Sequence, residues 1–279
     1  MALSYEQVKA IAERDLAIVI SCEDPMTHTF VIAEAACTWE GSLEEAGKSI
    51  KAAKACGADA WKTQWTSDHA AIARRRCEEM EEELEVYSLL AWPKEYHAQL
   101  KALCDLEGIE YMCTVFLPDD VEVIAPYVKR FKIAARESQD IGFIESHWTE
   151  PYDKKIIVSF NPGKWWPNLY GEHPVAQTLH CVSRYPTELC DLKLRHGMHQ
   201  HNGLSDHTTS LLTGALAVAC GASIIEHHVR NWETPKDNPD YPHSHAMDAR
   251  GIPPEGSMIE ASPFAIYVQN IREAEQAMG

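Results

Sequence analysis

Short runs rich in β-branched and aromatic residues recur along the chain, and most are followed by a stretch whose apolar positions fall at helical spacing. The first such run is Phe30-Val31-Ile32-Ala33-Glu34. A loop follows, then a helix from Ser42 whose apolar positions Leu43, Ala46, Ile50 and Ala53 are three and four apart. Ser42 with Glu45 three residues on has the form of a capping box, and Gly57 ends the helix. The next strand is expected from Ala58 to Gln64. A helix around Lys94 to Leu106, stopped by Gly108, leads into a strand from Ile109 to Thr114. Further strands are expected at Arg130 to Ala134, Lys155 to Ser159, Thr178 to Val182, Asn202 to Ser205 and Ser223 to His227. Counted from Phe30 these make eight, in the alternation that produces parallel sheets. At 279 residues the pattern predicts an α/β fold, a single-domain (β/α)8 barrel of the TIM type beginning at about residue 29. Two smaller domains would also fit the length.

Two segments break the pattern. Asn161 to Pro174 carries Pro162, Gly163, Pro167, Gly171 and Pro174, more than a helix tolerates, so one barrel helix is expected to be shortened or replaced by loop. Residues 1–28 read as an N-terminal extension, with a helix near Tyr5 to Arg14 and an apolar strand at Ala17 to Ile20, expected to plug the barrel's bottom.

Charge narrows the partners. A formal net charge of −17 repels nucleic acid and anionic lipid unless a local basic patch intervenes. Arg74-Arg75-Arg76 is the one such cluster, and it runs into Glu78-Glu79-Met80-Glu81-Glu82-Glu83, read as a solvated helix face. Apolar runs such as Leu16 to Ile20 are too short to span a bilayer, and no cleavable leader is evident, so a cytoplasmic location is expected. The 9 cysteines contain no CxxC pair and read as reduced core residues rather than a disulfide frame or zinc cage.

Polar residues gather at the strand ends: Glu34, Lys62, Gln64, Thr114, Lys132, Glu137, Ser159, Ser183, Ser205, His207 and His228. In a (β/α)8 barrel these ends converge on one mouth. Any one of them could be an ordinary loop residue; a polar group at every strand end is hard to obtain by chance. His207 and His228, at adjacent strand ends, could share one divalent cation of the zinc, manganese or iron type. His227 should point to the other face of its strand. Lys62 and Lys132 are costly in a barrel mouth unless they meet an anion, and together could hold a phosphate and a carboxylate. With the hydroxyls of Thr114, Ser159, Ser183 and Ser205 around them, that is a recipe for phosphoenolpyruvate. Glu34 and Glu137 are candidates for binding substrate hydroxyls and for proton transfer.

The motifs Val31-Ile32-Ala33-Glu34 with Trp39-Glu40-Gly41, Gly57-Ala58-Asp59-Ala60-Trp61-Lys62-Thr63-Gln64, Cys113-Thr114-Val115-Phe116 and Phe131-Lys132-Ile133-Ala134 are followed by Leu179-His180-Cys181 with Tyr185-Pro186-Thr187, Ser205-Asp206-His207-Thr208, Gly221-Ala222 with Ile225-Glu226-His227-His228, and Asn238-Pro239-Asp240. In that order they resemble the motif series of the N-acetylneuraminate (sialic acid) synthase family, over roughly Phe30 to Asp248. The resemblance implies a transferase of sialic acid biosynthesis that joins phosphoenolpyruvate to an aldehyde sugar, releasing phosphate and giving a 3-deoxy-2-keto sugar acid. It implies that Lys62, Thr114, Lys132, Ser159, Ser183 and Ser205 bind phosphoenolpyruvate and that His207 and His228 bind a divalent metal, manganese or magnesium. Glu137 would be the general acid/base, with Glu34 and Asp240 holding the sugar. No nucleic acid or membrane partner is expected, and a homodimer is compatible with this reading.

The chain departs from the family at Thr38-Trp39-Glu40 and at Ala135-Arg136, where a small Ser-Gly pair is usual, and Ser183 stands where Asn is common. It is also expected to lack the family's small C-terminal antifreeze-like domain and that domain's sugar-binding arginine, for which Arg136 or Arg250 could substitute. A metal-dependent aldolase or lyase on the same barrel, or a non-catalytic sugar-binding relative, are the alternative readings.

Overall fold

A computed structural model of the protein describes residues 28–78, 80–148, 153–164, 176–247 and 262–279. The expected N-terminal helix and strand fall outside the described residues, as does most of the Pro/Gly-rich segment before Pro174.

Eight parallel strands pair in sequence order, and the pairing of the first with the last closes them into a barrel. They are β1 (Phe30–Ala36), β2 (Ala60–Trp65), β3 (Glu110–Val115), β4 (Arg130–Ile133), β5 (Lys155–Phe160), β6 (Ala176–Cys181), β7 (Gly203–Asp206) and β8 (Ile224–Arg230). A short β9 (His245–Ala246) adds to β8 outside the barrel. The expected (β/α)8 architecture is therefore present. No helix among the described residues is long and apolar enough to cross a membrane.

Helix α1 (Leu43–Ala55) starts at Ser42, whose hydroxyl accepts from the Glu45 amide. The reciprocal arm of the expected capping box is not made. The Ser42 amide donates to the Trp39 carbonyl, and the Glu45 carboxylate turns to Lys48 instead. After β2 come α2 (His69–Arg76), α3 (Glu81–Ser88) and α4 (Tyr96–Glu107), then α5 (Asp120–Ile124) after β3 and α6 (Ile141–Ser146) after β4. Between β6 and β7 the chain makes only two one-turn helices, α7 (Leu189–Leu192) and α8 (Leu194–Gly197). It closes with α9 (Thr213–Ala219) and α10 (Pro263–Met278), which pack on each other.

Alternation along the strands sorts the side chains. Outward positions such as Val31, Trp61, Tyr111, Phe131, Val158 and Ile225 are buried under the helices, each worth about 1.5–3 kcal/mol of burial. Trp61 Nε1 also donates to Ser49 Oγ of α1 at 2.8 Å, so its polar atom is satisfied. Inward, Ile32, Ala60, Met112, Ile157, Leu179 and Ile224 form a separate apolar layer. Below it Arg130 lies over the Phe30 ring and pairs with Glu110. Gly203 allows β7 to enter this tight register, since a β-carbon there would lie 2.1 Å from the Ile224 carbonyl oxygen.

Candidate active site

Two residues beyond the apolar layer, the same inward face turns polar. Glu34 follows Ile32, Lys62 follows Ala60, Thr114 follows Met112, Ser159 follows Ile157, and Glu226 follows Ile224; Lys132 and Ser205 complete the ring from β4 and β7. All seven are buried. Just past Glu34 a bulge slips the register of β1 against β2, and the freed Ala36 amide donates to Glu34 Oε1 at 2.8 Å, fixing the carboxylate.

The two lysines are already paired. Lys62 meets Glu34 and lies 3.5 Å from Glu226, while Lys132 lies 3.3 Å from Glu226. Their hydroxyl partners are Thr114, 3.1 Å from Lys62, and Ser159, 2.9 Å from Lys132; Ser205 donates to Glu226 at 2.9 Å. From the sequence, these ammonium groups are expected to wait for an external anion. The barrel instead supplies internal carboxylates, and Glu226 was the residue missed. Burial pushes the Lys62 ammonium down to about 8, with Glu226 opposing the shift. Burial would raise Glu226, but the charges of Lys132 and Lys62 outweigh it and hold the carboxyl at about 2. The inner space they line, with Gln64, Tyr185, His207 and His228 at its edge, measures about 40 Å³.

His228 faces inward two residues past Glu226, and its neighbour His227 faces out, fully buried against the Tyr267 and His245 rings. His207 lies across from His228, ring centroids 5.2 Å apart. Its Nδ1 donates to the Val182 carbonyl at 2.9 Å, which leaves Nε2 with a free lone pair. Burial and then the nearby His228 hold His207 at about 3, so the ring is neutral.

The tighter cluster, however, is His228, Asp240 and His243, whose ligand-type atoms all lie within 4.8 Å of one another. Asp240 Oδ1 is 3.4 Å from His228 Nδ1 and 3.1 Å from His243 Nε2. Burial alone would raise Asp240, but its contacts with His228 and His243 hold it well below the usual carboxylate range. Two imidazoles and a carboxylate, with His207 beside them, are a donor set that fits a divalent transition metal. Asp240, expected to hold a sugar, is thus brought into the histidine cluster. His243 was not foreseen, because it sits in the loop after β8, where no periodicity marks it.

Above lies a wider cavity of about 510 Å³, sharing Gln64, Ala134, Tyr185 and His228 with the inner space. Glu137, Ser183 and Arg136 line it rather than the inner space. Ser183 is an exposed rim residue, its amide donating to Asn161 Oδ1 at 2.8 Å, and does not join the inner hydroxyls. Glu137 is buried and paired with Arg76, and Arg136 pairs with Glu78. Arg250 lies outside the described residues. Tyr185, which sequence reasoning used only as part of a motif, places its ring 4.3 Å from His207 and 4.9 Å from His243.

The sequence matches the NeuB family over residues 49–163 and 171–279. It is 30% identical to a pseudaminic acid synthase of Campylobacter jejuni over 285 residues, covering 90% of this chain and 75% of the relative. Identity to an N,N'-diacetyllegionaminic acid synthase of Legionella pneumophila is 28%, covering 90% and 73%. Among solved structures, the N-acetylneuraminic acid (sialic acid) synthetase of Leptospira borgpetersenii superposes with a TM-score of 0.74 at 22% identity, covering 91% of this chain and 86% of that one, a likeness of fold. With more than half its length matched and its barrel carrying the clustered strand-end residues, the chain belongs to the NeuB family.

Proposed function

We propose that this protein condenses phosphoenolpyruvate with an aldehyde sugar to form a 3-deoxy-2-keto sugar acid and free phosphate. The observation that carries the reading is the pair of buried lysines, ringed by Thr114, Ser159 and Ser205, directly beside a His-Asp-His cluster. Membership of a family whose relatives are named as sugar acid synthases supports it.

Lys62 and Lys132, with Thr114, Ser159 and Ser205, bind the phosphate and carboxylate of phosphoenolpyruvate. To do so the substrate competes with Glu226, which bridges both ammonium groups in the free protein. Glu34 keeps Lys62 in place and, through it, the orientation of the enol. His228, Asp240 and His243, with His207 opposite, would hold a divalent transition ion such as manganese. When bound there, the ion supplies polarisation of the aldehyde oxygen. The sugar occupies the wider cavity, where Glu137 Oε2 exchanges a proton with it. Carbon–carbon bond formation, addition of water to the resulting cationic carbon and expulsion of phosphate complete the balance.

The test is phosphate release from phosphoenolpyruvate with manganese and a panel of aldehydes from glyceraldehyde and arabinose to N-acetylmannosamine. Release that requires an aldehyde and falls by about 10²–10⁴-fold in Glu137→Gln is the expected result. Absence of release with every aldehyde, in protein that calorimetry shows to bind phosphoenolpyruvate, would overturn it.

A further inference from the structure

Glu137 is held by one oxygen only. Oε1 accepts from Arg76 Nε at 3.1 Å and from Arg76 Nη2, whereas Oε2 is buried and has no hydrogen-bond partner among the described residues. Both residues line the wide cavity, with side-chain exposures of 14% for Arg76 and 5% for Glu137. A free glutamate samples many rotamers, and a buried carboxylate oxygen without a donor is costly. A pinned Oε1 and an idle Oε2 are what a group built to meet a ligand donor looks like.

Arg76 is itself fixed. Its guanidinium lies 5.3 Å from the Tyr87 ring centroid and 5.0 Å from that of Phe116, and Nη1 donates to the Tyr87 hydroxyl at 3.4 Å. The Tyr87 hydroxyl donates in turn to Glu78, whose other oxygen accepts from Arg136. Burial would lower the Arg76 guanidinium, but the charge of Glu137 and the hydrogen bonds to Tyr87 and Glu137 together offset it and hold it above its ordinary value. The chain Arg136, Glu78, Tyr87, Arg76, Glu137 thus ties the helical excursion after β2 to the loop after β4, across one wall of the cavity. Its two ends, Arg136 and Glu137, are consecutive residues of that loop.

We propose that Arg76 is the positioning residue of Glu137: it pins one carboxylate oxygen so that the other is presented to a hydroxyl of the aldehyde sugar. The inference rests on the synthase reading and deepens it. Arg76 touches no reacting atom, and its effect passes through Glu137 to the acceptor and not to phosphoenolpyruvate.

The experiment compares Arg76→Ala, Arg76→Lys and Glu137→Gln with wild type. In Arg76→Ala, kcat/KM for the aldehyde should fall by about 10²-fold, the scale of a misplaced reacting group, while calorimetric affinity for phosphoenolpyruvate stays unchanged. Arg76→Lys should recover part of the loss, and added guanidinium should restore Arg76→Ala but not Glu137→Gln. Aldehyde kinetics and phosphoenolpyruvate affinity declining together, with no rescue by either route, would overturn the proposal and leave Arg76 a structural residue. A double-mutant cycle on urea unfolding for Arg76→Ala and Glu137→Gln adds a readout that needs no turnover. Coupled effects support the pinning, and additive effects refute it. If wild type turns over no aldehyde, the synthase reading fails by that result alone, and the cycle still decides whether Arg76 holds Glu137.

Discussion

Glu226 and His243 define the chemistry of this site as much as the residues visible at the strand ends. Because Glu226 neutralises both lysines, phosphoenolpyruvate bound as proposed has to replace it, and the lysines must stay charged to reward the exchange. Lys62→Met and Lys132→Met should each weaken phosphoenolpyruvate binding by about 2–5 kcal/mol, measured calorimetrically. Wild-type affinity should fall as pH rises through about 8, where Lys62 loses its proton. An affinity flat to pH 9.5 would mean that Lys62 does not face the ligand. Metal analysis should find that His228→Ala, Asp240→Asn and His243→Ala each lose most of the bound ion, while His227→Ala keeps it, its ring being on the outer face. The difference between these residues is also a difference in legibility. Glu226 could have been found, since it shares a strand face with His228 at a spacing of two. His243 could not, because a loop has no period and 14 histidines offer no contrast.

At the level of elements, alternation located all eight strands, and their ends differ from expectation by up to three residues, as at β8, which runs on to Arg230. Pairing in the sheet, which local pattern does not report, sets those ends. The capping box shows the same limit: Ser42 takes its role, but Glu45 is drawn away by Lys48, three residues on in the same helix, and by Asn231, which the helix alone does not reveal as a neighbour. Gly203 is a third case. Nothing in its local sequence marks it, yet the backbone of Ile224 leaves no room for a side chain. Gly203→Ala should cost about 1–3 kcal/mol by overpacking, read as a lower urea midpoint, and should also weaken phosphoenolpyruvate binding because Ser205 is two residues along the same strand. A midpoint equal to wild type would show that β7 can shift freely.

Across the whole molecule, closure through β1 and β8 followed from the strand count, whereas the buried histidines that tune its stability did not. Burial holds His97 and His147 at about 4. An unfolded histidine titrates near 6.5, so below that pH the unfolded chain binds more protons than the fold. Stability from these groups is complete above about pH 6.5 and is lost as pH falls toward 4, by about 3 kcal/mol for each. Urea midpoints should drop steeply over that window, and His147→Gln should flatten the slope; a midpoint constant to pH 4.5 would contradict neutral buried rings. The apolar layer of Ile32, Ala60, Met112, Ile157, Leu179 and Ile224 has a kinetic consequence as well. It makes the site a cul-de-sac, whose deep end holds the lysines and which opens, among the described residues, into the cavity of Glu137 and Tyr185. Traffic must queue. On the proposed reading, the anion that belongs at the back enters first, a sugar seated early stands in its way, and the phosphate left behind is the last to walk out.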